Sequence, residues 1–71
     1  MFVTIFTTND FNKNETTVAL DEGASVFDAL NVFPGLPNDI GLFVLNGIAV
    51  SQQEKLKSGD KLELFPLIIS G

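Results

Sequence analysis

A chain of 71 residues makes one domain, 1–71, with a small core, since a domain of this size buries only about 60% of its unfolded surface. It has no cysteine and no histidine, which excludes a disulfide and Cys-ligated zinc and leaves apolar packing, helped by a partner, to hold the fold. Nine acidic against four basic residues give a net charge of −5, which disfavours nucleic acid because phosphate binding needs clustered Lys and Arg.

Phe2 to Thr8 mixes bulky and β-branched residues and reads as a strand rather than a signal peptide, because it lacks a basic start and a long apolar run. Asn9-Asp10-Phe11-Asn12-Lys13-Asn14-Glu15 holds turn formers without periodicity and predicts a hairpin loop longer than the two-residue kind. Thr16 to Leu20 is the returning strand. Asp21 to Ala24 breaks it. Ser25 has the features of a helix N-cap, with Asp28 three residues on as its capping-box partner. The helix is expected over about Ser25 to Val32, with Val26, Phe27 and Leu30 on its buried face. Asp21, Glu22 and Asp28 are expected to cap the helix and complement its dipole. Pro34, Gly35 and Pro37 stop it.

Leu42 to Leu45 is an apolar strand, and Asn46-Gly47 is the strongest tight-turn signal, because both residues tolerate positive φ. Ile48 to Val50 is a short strand. Lys57-Ser58-Gly59-Asp60 is a second turn, and Lys61-Leu62-Glu63-Leu64-Phe65 alternates as the last strand. Residues 66–71 form an extended tail. The order β-β-α-β-(β)-β predicts an α+β domain, with a mixed sheet of four to five strands packed on one helix. No apolar stretch approaches the roughly 20 residues that span a bilayer, so the expectation is a cytoplasmic protein without a membrane partner.

Alternation also sorts the aromatic residues. If Val3 and Ile5 face the helix, Phe2, Thr4 and Phe6 face outward. If Leu62 and Leu64 face in, Lys61, Glu63 and Phe65 face out. Phe65 then joins Phe2 or Phe6 in an exposed patch, provided that the first and last strands are neighbours. Such a patch suits a partner protein.

Leu45-Asn46-Gly47-Ile48-Ala49-Val50, Leu56-Lys57-Ser58-Gly59-Asp60-Lys61-Leu62-Glu63-Leu64-Phe65-Pro66 and the final glycine resemble the ThiS/MoaD family of sulfur carriers. Gly23-Ala24-Ser25-Val26-Phe27-Asp28-Ala29-Leu30 is similar to that family's helix start, so the resemblance spans the chain. It implies a ubiquitin-like β-grasp fold. It also implies that Gly71 is adenylated and converted to a thiocarboxylate, which donates sulfur in molybdopterin or thiamin thiazole biosynthesis. The implied partners are an adenylating enzyme and a sulfur-acceptor synthase. ATP is used by the activating enzyme, and no cofactor is bound by this chain. The family ends Gly-Gly, whereas this chain ends Ser70-Gly71.

The residues suit that chemistry. Gly71 has no side chain to obstruct entry of its carboxylate into a narrow site. Leu67, Ile68 and Ile69 make an apolar lead, followed by the small Ser70, that can lie strand-like in a partner's groove. The sequence has no Walker-type phosphate loop and no Cys or His nucleophile, so the expectation is a protein substrate and carrier rather than an enzyme. Ser70 favours the alternative, a non-catalytic β-grasp interaction module or small subunit with a degenerate tail.

Overall fold

The computed structural model describes residues 1–9, 12–33 and 40–66. Five strands and one helix follow in the order β1 (Phe2–Asn9), β2 (Asn12–Ala19), α1 (Val26–Val32), β3 (Ile40–Leu45), β4 (Ile48–Val50) and β5 (Lys61–Pro66). The sheet is mixed, with strand order β2-β1-β5-β3-β4. The last strand is therefore the middle one. It lies parallel to β1 and antiparallel to β3.

The expected phase of the strands is the observed one. Val3, Ile5 and Leu62 are fully buried, and Leu64 is 1% exposed. Directly paired residues point to one side of a pleated sheet. Ile5 pairs with Leu62, and Leu62 with Leu45, which carries one apolar row across three strands. Leu64 pairs with Thr7 on one side and Phe43 on the other, which makes a second row. The helix closes over these rows with Val26 and Ala29, while Leu30 and Phe33 pack at the margin. Leu56 enters the same core from the loop before β5.

The helix face differs from the sequence expectation. Phe27 is 52% exposed, and Ala29 occupies the buried position instead. The stripe runs Val26, Ala29, Leu30, Phe33, at i, i+3, i+4 and i+7, and Phe27 lies about 100° off it. The small Ala29 is fully buried where the larger Phe27 is not, so bulk was a poor guide to depth.

The first hairpin also differs. Asn9 pairs with Asn12, so only two residues separate β1 from β2, and the strands run through the polar segment expected to be loop. Ladder hydrogen bonds join backbones, and an edge strand with one solvated face accepts Lys, Glu and Asn. Leu20 falls just past β2, where its N–H donates to the Met1 carbonyl at 2.8 Å. The stop signals Pro34, Gly35 and Pro37 lie outside the described residues.

The helix start is as expected at Ser25 and Asp28. The Asp28 N–H donates to Ser25 Oγ at 3.4 Å, and the Ser25 N–H donates to Asp28 Oδ2 at 2.9 Å. Asp28 is the one acidic residue of the first turn; Asp21 and Glu22 belong to the turn before it and do not cap. The Ser25 backbone N–H, then its hydroxyl, hold the Asp28 carboxyl below its usual pKa, with a smaller pull from Lys55. The β3–β5 register slips by one residue between Ile40 and Leu42, a bulge that leaves Gly41 between the pairs.

Two predictions follow from this packing. Leu62→Ala is expected to cost about 2–5 kcal/mol, because it opens a cavity at the middle of the Ile5–Leu62–Leu45 row; the urea midpoint at unchanged slope measures it. The second concerns acid. The Asp28 pKa is lowered on folding, so as pH falls from the unfolded pKa toward the folded one the unfolded chain binds more protons at this position. The capping contribution is then full above the unfolded pKa and fades as pH falls through the folded one. Asp28→Asn is expected to flatten that part of the stability–pH curve, read from urea midpoints at matched pH.

Candidate functional site

The outward residues of the sheet follow from the same register. Phe6 on β1 pairs with Glu63 on β5, and Glu63 pairs with Val44 on β3. Val44 in turn pairs with Ala49 on β4. One step along, Phe65 pairs with Leu42. Phe6, Phe65, Leu42 and Val44 thus share the side opposite the helix, near the end of β5. Leu42 is 45% exposed, and the other three are half-buried.

Phe2 shares this face but not this cluster. It precedes Phe6 by four residues along β1, about 13 Å at strand rise, with Thr4 between them. It is 63% exposed and lies by the turn before β5, where its carbonyl accepts from the Gly59 N–H at 2.9 Å. Of the expected patch, the structure brings Phe6 and Phe65 together and leaves Phe2 at the other end. Leu42 and Val44 were not expected in it. Their signal was available, because Leu42-Phe43-Val44-Leu45 is apolar at every position, and a strand greasy on both faces has something to cover on each.

The charges around the cluster are mixed. Glu63 sits within it, Lys61 follows on β5 toward Phe2, and Glu15 pairs with Phe6 from β2. The apolar residues flank the central Glu63, and partly exposed apolar area of this kind is available to a partner protein. Pro66, whose nitrogen cannot donate, is the last described residue of β5 and pairs with Ile40. Gly71 and the residues leading to it, Leu67, Ile68, Ile69 and Ser70, lie outside the described residues.

A second concave region runs between the end of β2 and the helix, lined by Asp21, Glu22, Asp28, Asn31 and Val32 among others. Asp28 Oδ2 is already engaged by the Ser25 N–H and hydroxyl. Among the described residues, no group of three or more His, Cys, Asp or Glu could hold a metal ion. No helix among them is long and apolar enough to cross a membrane.

This arrangement of a five-stranded mixed sheet over one helix is the ubiquitin-like β-grasp fold. The match is specific. The crystal structure of SAMP1 from Haloferax volcanii, a ubiquitin-like small archaeal modifier, superposes with a TM-score of 0.76 at 26% identity, covering 100% of both chains. No protein-family profile matches the chain, and no curated protein matches it. Small proteins of this fold are typically non-catalytic carriers or modifiers, and the fold implies activating enzymes as partners.

If the outward cluster is a binding face rather than part of the core, its residues tolerate polarity. Leu42→Ser is expected to lower stability by no more than about 1 kcal/mol, against the larger loss at Leu62. Parallel thermal melts of the two variants test this.

Proposed function

We propose that the chain is a sulfur carrier whose Gly71 carboxylate is activated by a partner adenylating enzyme and converted to a thiocarboxylate. A carboxylate is a poor acyl donor. Attack of one of its oxygens on the α-phosphorus of ATP expels pyrophosphate and gives an acyl-adenylate. A sulfide-level nucleophile then attacks the carbonyl carbon. A C–S bond forms, the C–O bond to the phosphate breaks, and AMP leaves.

One observation carries the reading: the end-to-end structural match to SAMP1, with the strand that leads into residues 67–71 at the centre of the sheet. The fold supplies a rigid body, and the tail supplies the reacting atom. The cluster of Phe6, Leu42, Val44 and Phe65 beside the root of that tail is where the activating enzyme and the sulfur-acceptor synthase would dock. Phe2 would contribute only to a partner broad enough to reach the far end of β1. Molybdopterin and thiamin thiazole synthesis both consume sulfur in the required form.

The neighbour also favours a second reading, a protein modifier. There the same acyl-adenylate, or a thioester made from it, is attacked by a lysine amine, and an amide to another protein results. Activation is shared, and the two readings part at the nucleophile.

Incubation with ATP, sulfide and an adenylating enzyme from the same genome, followed by intact-mass analysis, tests both. A carrier gains the mass of an oxygen-to-sulfur exchange, which is lost when Gly71 is deleted. A modifier gives higher-mass conjugates with target proteins. No Gly71-dependent change of either kind would overturn both. Ser70→Gly is expected to speed activation by roughly five- to thirtyfold, if the enzyme's channel requires the left-handed backbone that costs serine about 1–2 kcal/mol.

A further inference from the structure

Asn46-Gly47 is the one Asn-Gly step in the chain. Asn46 takes the left-handed conformation at φ 51°, and Gly47 follows at φ 86°. This is the two-residue turn between β3 and β4, closed by the Leu45–Ile48 pair. Its side chain does more than tolerate that geometry. The Asn46 N–H donates to the Lys61 carbonyl at 2.8 Å, and the Lys61 N–H donates back to Asn46 Oδ1 at 3.0 Å. The amide oxygen thus replaces the backbone carbonyl that the ladder would have used before the chain turned away.

The other end of the amide is held too. Asn46 Nδ2 donates to Asp60 Oδ1 at 3.0 Å, while Asp60 Oδ2 accepts from the Lys57 N–H at 2.7 Å. One carboxylate therefore ties the β3–β4 turn to the turn that enters β5.

From this geometry we infer that Asn46 is a spontaneous modification site that the native fold holds silent and that becomes active when the clasp opens. The chemistry needs only water. The Gly47 backbone nitrogen attacks Cγ of Asn46, an N–C bond forms, the Cγ–Nδ2 bond breaks, and ammonia leaves. Water then opens the succinimide at either carbonyl to give aspartate or isoaspartate. Glycine at the following position removes the Cβ that would shield the attacking nitrogen, and a Cβ built on Gly47 meets nothing within 4 Å, so the turn is open to water. In the folded chain both amide heteroatoms are bound on the β5 side, which restrains the side-chain rotation that attack by the Gly47 nitrogen on Cγ requires.

Conversion is not neutral. A carboxylate at position 46 replaces the donor to Asp60 with an acceptor of like charge at hydrogen-bond distance, which disfavours the clasp. Isoaspartate routes the backbone through an extra carbon and removes the two-residue turn geometry. Either product loosens the β3–β4 hairpin from the start of β5, and chains that have spent time open carry a permanent mark of it.

The test compares the chain in native buffer and in guanidinium at one mildly alkaline pH, with peptide mass spectrometry at Asn46 and, as internal control, at Asn31, which precedes the β-branched Val32. In guanidinium, Asn46 is expected to convert well before Asn31. In native buffer, its conversion is expected to slow by about tenfold or more, the factor set by how rarely the turn opens. Equal rates at Asn46 in the two buffers, or no preference over Asn31 when unfolded, would overturn the proposal. The charge clash has its own check. Asn46→Asp is expected to lower the urea midpoint, and adding Asp60→Asn to recover part of the loss; a double variant no better than the single one removes the carboxylate repulsion from the account.

Discussion

The parallel pairing of β1 with β5 is the constraint on which the rest depends. Val3 and Ile5 come from the start of the chain, and Leu62 and Leu64 from near its end; these four are among the most deeply buried side chains. Neither pair can leave water without the other. The helix and the β3–β4 hairpin have no apolar surface to cover until this seam exists, because Val26, Ala29 and Leu45 pack against it. Most of the chain must therefore be looped before its strongest contacts form, an order of events that tends to slow folding. A protein built this way is either nearly complete or not folded. In the proposed reading, the last strand to be placed also leads into the residues that react, so a partner that recognises the sheet's outer face selects finished chains.

Both ends of β5 need fixing by other means, because the buried rows cover only its middle. At its start, Asp60 and Asn46 hold two turns together with side-chain hydrogen bonds. At its other end, a bulge at Gly41 shifts the register before Ile40 pairs with Pro66. No buried side-chain nitrogen or oxygen among the described residues lacks a partner. Such economy suits a chain with so little core, where an unmet polar group costing about 1–3 kcal/mol would be a large share of total stability.

Much of this was legible in the order of residues. Alternation at Phe2–Phe6 and Lys61–Phe65 left only two phases for the side chains, and the burial of Val3, Ile5, Leu62 and Leu64 decides between them. Asn46-Gly47 and Ser25 with Asp28 announced their own turn and cap, because those signals are local. What failed was long-range or small. Ala29 looked unimportant beside Phe27, although the helical period puts Ala29, not Phe27, on the stripe of Val26, Leu30 and Phe33. Asn12 to Glu15 looked like loop, although an edge strand needs backbone partners more than apolar side chains. Leu42 and Val44 could join Phe6 and Phe65 only once β5 was known to lie between β1 and β3, a fact of topology that no local pattern carries.

The outer cluster and the tail set a geometric limit on any activating partner. From Pro66 to Gly71 is five residues, which span at most about 17 Å when fully extended. An enzyme that grips Phe65 and Leu42 while charging Gly71 must hold its nucleotide's α-phosphorus within roughly that distance of its apolar docking surface. A longer tether would lower the effective concentration of the carboxylate at the nucleotide, and a shorter one would not reach. Apolar docking and the acyl chemistry are then separable along the chain. In the proposed reading, binding energy would be collected on the face of β1, β3 and β5, and the reaction would occur at Gly71, a residue with no side chain. In that division of labour the carrier needs no catalytic group of its own, and a chain without a single histidine or cysteine is chemically sufficient.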